Sequence, residues 1–192
     1  MELHEVTQDL FGPLAHLAGD WEGSHGVDFS FHHEEKVTGT TPYFEKVQLK
    51  PFGPVDNGQQ HLYGLDYRMA AWRISELDDD PFHTEVGYWL YDPEAEFLTR
   101  CFMVPRGSVL IASASVLKSD TDFLLRAERG STTNGILSNP YLDANARSDS
   151  YEIKISLSPN GWSYESTTVL SMSVLDKPLH HTDRNSLTLT KG

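Results

Sequence analysis

The chain has 192 residues and a formal net charge of −13, from 15 basic against 28 acidic side chains. That length fits one domain over residues 1–192. The acidic balance argues against nucleic acid, whose phosphates need a basic footprint, and against an anionic membrane surface. Hydrophobic residues make up 39% and aromatic residues 11%, enough for a core, and no stretch reaches the roughly 20 apolar residues of a membrane span.

The first residues, "MELHEVTQDLFGPLAHL", lack the basic start and apolar run of a signal peptide. Cys101 is the only cysteine, so no internal disulfide can form and a reducing, cytoplasmic setting is expected. Helical periodicity is confined to Asp9–Gly19, where Leu10, Leu14 and Leu17 share a stripe that Pro13 and two glycines keep short. The next stretch, "AGDWEGSHG", opens the first strand. Gly19 lets the chain bend, Trp21 can lie across a barrel floor, and Gly23 and Gly26 relieve crowding where a strand coils.

Strands are expected at 21–31, 43–50, 61–73, 83–91, 97–104, 108–116, 122–130, 149–158, 162–174 and 180–190. The turn signals between them are "GTTP", "FGPVDNG", "DDDP", "DPEAE", "PRG", "KSDTD", "SPNG" and "DKP". One longer connection, Ser131–Arg147, shows no period and is expected to cross an open end of the sheet. Ten consecutive strands with short turns imply an all-β antiparallel meander. Closure into an up-and-down barrel, with the short N-terminal helix closing one end, removes its exposed edges. A barrel of that size leaves room for a small ligand.

Several side chains are candidates for that cavity. Trp21, Trp72 and Trp89 could form apolar walls. Glu85, in "PFHTEVGYWLYD", is either a buried acceptor for Arg73, Arg100 or Arg106, or an outward polar residue. The outward position is the default unless Gly87 marks a bulge. Arg106, at the "PRG" turn, could hold a carboxylate or propionate at the mouth, or simply be solvated. His32 and His33 are adjacent in "FHHEEK", so they point to opposite faces, and the stretch reads as surface rather than as a metal site.

In the last strand, "LHHTDRNSLTL", alternation puts His181, Asp183, Asn185, Leu187 and Leu189 on one face. The other face is wholly polar, so His181 rather than His180 points inward. An inward imidazole is either an axial ligand for haem iron or a core histidine bonded to Asp183 or a tyrosine.

The order of "LAGDWEGSHG", "HTEVGYW", "WSYESTTVL" and "PLHHTDRNSL" resembles the nitrobindin family, haem-binding β-barrels related in shape to fatty-acid-binding proteins and lipocalins. The resemblance implies a ten-stranded barrel with haem b at the open end, its iron held by a last-strand histidine that maps onto His181. It also implies chemistry on nitric oxide or peroxynitrite, of the peroxynitrite isomerase kind. Arg106 and Arg147 would then be propionate partners. After His181, "TDRNS" is polar where the family pattern is largely apolar, so Asp183 and Asn185 would make the pocket hydrogen-bonding. The "NPYLDANAR" loop and "KPFGPVDNG" look particular to a sub-branch. The chain thus reads as a binding protein for a small molecule, with a homodimer left open. The alternatives are a barrel for a fatty acid or polar metabolite without haem, and a hydrolytic enzyme using His181 and Asp183.

Overall fold

The computed structural model describes residues 5–190; the first four residues of "MELHEVTQDLFGPLAHL" and the last two of the chain lie outside the described residues. Two helical turns, α1 (Gln8–Phe11) and α2 (Leu14–Leu17), precede β1 (Gly19–His32), β2 (Val37–Asp56), β3 (His61–Arg73), β4 (His83–Asp92), β5 (Phe97–Val104) and β6 (Ser108–Ser115). The chain continues through β7 (Asp122–Arg129), β8 (Gly135–Ser138), α3 (Pro140–Asn145), β9 (Ala146–Ser158), β10 (Gly161–Met172) and β11 (Leu179–Leu189). The strands close into a barrel in the order β1-β11-β10-β9-β7-β8-β6-β5-β4-β3-β2.

The architecture is the expected all-β barrel, with eleven strands described rather than ten. The extra strand comes from the Ser131–Arg147 connection. β6 and β7 pair only at Ser113 and Arg126 and then diverge. β8 fills that gap, parallel to β7 and antiparallel to β6, before α3 turns the chain into β9. The meander is therefore interrupted once.

Two sequence turns are absorbed into β2. "GTTP" pairs with β1, and the "FGPVD" segment continues the strand across an irregularity between Phe52 and Val55 that contains Pro54. Pro lacks a ladder donor, so a bulge is where a strand tolerates it. In β1 the register likewise shifts between Gly23 and Gly26. A side chain at Gly26 would run into the Tyr43 ring at 2.4 Å, so the glycine is what lets that ring lie inside.

The helical turns close one end. Phe11, Leu14 and Leu17 are buried, and Gly12 sits against the Tyr91 ring, where a Cβ would approach to 2.5 Å. Trp21 donates its indole N–H to the Leu17 carbonyl at 2.8 Å and meets Trp162 edge-on at 6.3 Å. His16 lies 3.1 Å from the Gly161 carbonyl, tying the start of β10 to the same end. The opposite end, where β10 finishes at Met172 and β11 begins at Leu179, is open, and Leu142 of α3 lines it.

Candidate functional site

The inward residues of the strands enclose a cavity of about 390 Å³. Alternation sets its contents. β11 turns His181 and Asp183 into it, β10 contributes Tyr164 and Thr168, β2 Tyr43 and Glu45, β3 Tyr67, β4 Glu85 and Trp89, and β5 Arg100 and Phe102. At the floor, Trp162 and Trp89 lie over the plugged end. Their indole N–H groups are buried without an acceptor among the described residues, so both contribute ring faces rather than hydrogen bonds. At the open end the walls are apolar on one side, with Val104, Leu142, Leu170 and Met172, and Arg106 joins them from its turn.

Two hydrogen-bonded groups occupy the interior. In the first, Arg100 bonds Glu85 at 2.5 Å and Tyr67 at 2.9 Å, and also donates to the Tyr151 hydroxyl. Its guanidinium stacks on aromatic rings, 4.1 Å from the Phe102 centroid and 5.2 Å from that of Trp89. Burial would raise the Glu85 carboxyl, but the Arg100 charge and the His83 and Tyr67 bonds bring it down to about 2. His83, 3.3 Å from Glu85, is raised because that carboxylate outweighs its own desolvation.

The second group has no buried base. Glu45, 1% exposed, accepts from Tyr164 and from Asn185, each at 2.9 Å and both at Oε2. Tyr43 bonds Tyr164 at 2.7 Å and also donates to Asp183. Burial, reinforced by Asp183, pushes Glu45 up to about 8; burial likewise pushes Asp183 up to about 6. The Tyr43 and Tyr164 hydroxyls are raised by burial beside these carboxylates.

Near the open end His181, partly exposed, meets Asp28 of β1 with Nε2 and Oδ1 2.6 Å apart. Burial opposes the Asp28 charge, yet the His181 contact and the Ser30 hydroxyl hold its carboxyl below the ordinary range.

The structure therefore gathers His181, Asp183, Glu85, Trp89 and Arg106 on one cavity. Glu85 faces inward with no bulge, opposite to the default outward position, because Trp89 and Glu85 share a parity and the buried Arg100 meets the carboxylate. Asn185 is 4% exposed and stands behind the wall as a donor to Glu45. Trp21 is beneath the floor, and the tryptophan that lines it is Trp162. Trp72 is on the outer face, beside Phe44 and bonded to the Asp79 carbonyl at 3.1 Å, because Met69 and Ala71 hold the inward positions of β3. Arg147 points away between the inward Ala146 and Ser148 and pairs with Asp149 at 2.7 Å. Leu189 ends the inward face of β11 exposed at the closed end.

An acid–base pair of His181 with Asp183 does not form: Asp28 takes the imidazole, and tyrosines hold Asp183. A fatty-acid carboxylate finds little in the interior, where the one buried arginine is already bonded and stacked and four carboxylates line the walls. His33 reaches the rim although "FHHEEK" reads as surface. The polar interior residues Tyr43, Glu45, Tyr67, Tyr151, Tyr164 and Asp28 were not marked by the sequence motifs. Their signal was parity: Tyr43, Glu45, Val47 and Leu49 alternate on one face of β2, and all four are buried.

For haem, the open end fits in kind. It offers an imidazole donor, an apolar wall and a rim arginine. The inner end, with Glu45, Asp183, Glu85 and Arg100, is no bed for an apolar macrocycle.

Comparison with known proteins gives one family model, described as a THAP4-like, heme-binding beta-barrel domain, which matches residues 10–188. No curated protein matches the chain. Among solved structures, the crystal structure of Rv2717c from M. tuberculosis superposes with a TM-score of 0.65, covering 99% of this chain and 100% of that one at 16% identity. At that identity the likeness concerns the fold.

Proposed function

The chain belongs to the THAP4-like haem-binding β-barrel family, and on that premise we propose that it binds haem b at the open end of its cavity, with His181 as the iron ligand. One observation carries the reading: β11 turns a partly exposed imidazole into the open end, beside the apolar wall of Val104, Leu142, Leu170 and Met172. His83 lines the same cavity, but it lies on β4 rather than on the last strand, where the family resemblance puts the iron ligand. Haem bound there would supply an iron with an open coordination position, the chemistry for nitric oxide or peroxynitrite. The residues' own part is to hold and orient. His181 would supply a ring nitrogen to the iron, the apolar wall would exclude water, and Arg106 at the rim would pair with a propionate. Arg147, engaged by Asp149 outside the cavity, has no part in this reading.

The protein's working setting is, in the same reading, the cytoplasm, with the lone thiol of Cys101 free. A homodimer would meet on the outer row Val86, Met103, Val109 and Leu137. These are neighbours by register on β4, β5, β6 and β8 and exposed, and they form an uncharged row in a chain of net charge −13. Light scattering of wild type and Leu137→Glu checks it.

The experiment for the function is a haemin titration followed in the Soret region, with His181→Ala alongside. A stoichiometric band that the variant loses supports the reading. Weak binding, equal in both proteins, overturns it.

A further inference from the structure

We propose that the inner end of the cavity is a binding site for a small organic cation with N–H donors, a primary ammonium group, seated between Glu45 and Asp183. The assignment goes beyond the haem reading and does not depend on it.

The argument begins with which inward carboxylates have a base. Asp28 has His181 at 2.6 Å, and Glu85 has Arg100 at 2.5 Å and His83 at 3.3 Å. Among the described residues, Glu45 and Asp183 form no ion pair. A carboxylate taken out of water without a cation is costly, and the group responds by holding its proton. The raised carboxyls of Glu45 and Asp183 are that response.

A second observation is independent of charge. Glu45 is 1% exposed and lines the cavity, yet both of its donors sit on Oε2; among the described residues nothing bonds Oε1. An acceptor on the cavity wall is thus left for a donor from outside the chain. The surroundings select the kind of donor. Tyr43, Tyr164 and Trp162 line the same space with aromatic rings of the sort that attract ammonium groups, whereas Arg100 already occupies the Trp89 ring. A metal ion is a poorer match, since no three His, Cys, Asp or Glu residues among those described converge as a ligand set. An anion meets four carboxylates, and both terminal nitrogens of Arg100 are already engaged, leaving only a buried Nε. The cavity volume of about 390 Å³ lies within the range of small-ligand sites.

The test is calorimetric titration of the full chain at neutral pH with phenethylamine, beside 2-phenylethanol and 3-phenylpropionate, which change only the head group. The amine is expected to bind at least about tenfold tighter than the alcohol, and the acid more weakly than either. Binding is also expected to release protons, read from the dependence of the heat on buffer ionisation enthalpy, because the cation displaces the proton held by Glu45. Glu45→Gln and Asp183→Asn should each remove the preference for the amine, so that the amine and alcohol affinities converge to within about twofold. Circular dichroism verifies that both variants fold; should either fail, the wild-type ratio and proton release decide. An amine that binds no better than the alcohol, or not at all, overturns the proposal. So does a preference that survives in both variants, or binding without proton release.

Discussion

Arg100 and Glu85 form a buried ion pair at 2.5 Å, with the arginine side chain 6% and the glutamate 11% exposed. Two neighbouring strands place them directly inside the barrel, where Tyr67 bonds both and Tyr151 accepts from the guanidinium, whose Nε has no partner among the described residues. Removing one member strands the other charge away from water. Arg100→Met should therefore lower stability by about 3–5 kcal/mol, whereas Arg100→Met with Glu85→Gln should recover a good part of that loss. Urea unfolding of the single and double variants measures both. Equal losses in the two would show that packing on the Phe102 and Trp89 rings, not charge, dominates.

Glu45 and Asp183 give the folded protein a pH profile of a definite sign. Their carboxyls are held up to about 8 and about 6, above the unfolded values, so between them the folded state binds more protons than the unfolded chain. Stability then falls as pH rises, with the cost absent below about pH 4 and complete above about pH 8. His83, raised by Glu85 against its desolvation, acts in the same direction through the stabilisation it loses as it deprotonates. Glu85 and Asp28, whose carboxyls are lowered, have their full effect above the unfolded carboxylate range and add no slope there. The melting temperature should decline from about pH 5 to 8, and Glu45→Gln should flatten the decline. A wild-type profile rising over that window would contradict the assignment.

Asp28 would compete with a haem iron for the nitrogen of His181. Nε2 cannot serve both, so an iron bond there releases a carboxylate that the imidazole now holds at 2.6 Å. Asp28→Asn should raise haemin affinity by about threefold to tenfold in a Soret titration. A fall instead would assign the iron to Nδ1, with Asp28 as the carboxylate that orients the ring.

Gly87 permits a close crossing of β4 and β5. A Cβ there would stand 2.1 Å from the Cys101 carbonyl oxygen and 2.6 Å from the Phe102 Cα, both backbone atoms that cannot rotate aside. Gly87→Ala should cost at least about 1–3 kcal/mol, seen as a lowered urea midpoint. It should also disturb Glu85 and Trp89, the residues two positions to either side.

The inward set of β11 was legible because alternation there is clean: Leu187 fixes the face, and His181, Asp183 and Asn185 follow it. Trp72 and Arg147 lie outside the cavity because Ala71 beside the first, and Ala146 and Ser148 beside the second, take the inward positions. β2 hid its role in another way. Three prolines and the glycines between Gly39 and Pro54 imitate turns, and only the bulges in β1 and β2 reveal how the ladder runs past them. Glu45 was overlooked because an isolated acid in a strand ordinarily faces water, and its inward parity says nothing of the tyrosine that would meet it. No spacing rule joins Asp28 to His181.

Those two residues stand 153 positions apart in the chain, and the strands that carry them form the seam that closes the ring. A contact of such long range is among the last a folding chain can make, because the intervening loop must be ordered or closed first. Until the seam shuts, β1 and β11 are open edges on which another chain could pair. The cavity-facing histidine therefore also fastens the last joint of the barrel. Whatever draws His181 from Asp28 acts on the rate at which the barrel opens as well as on what it holds.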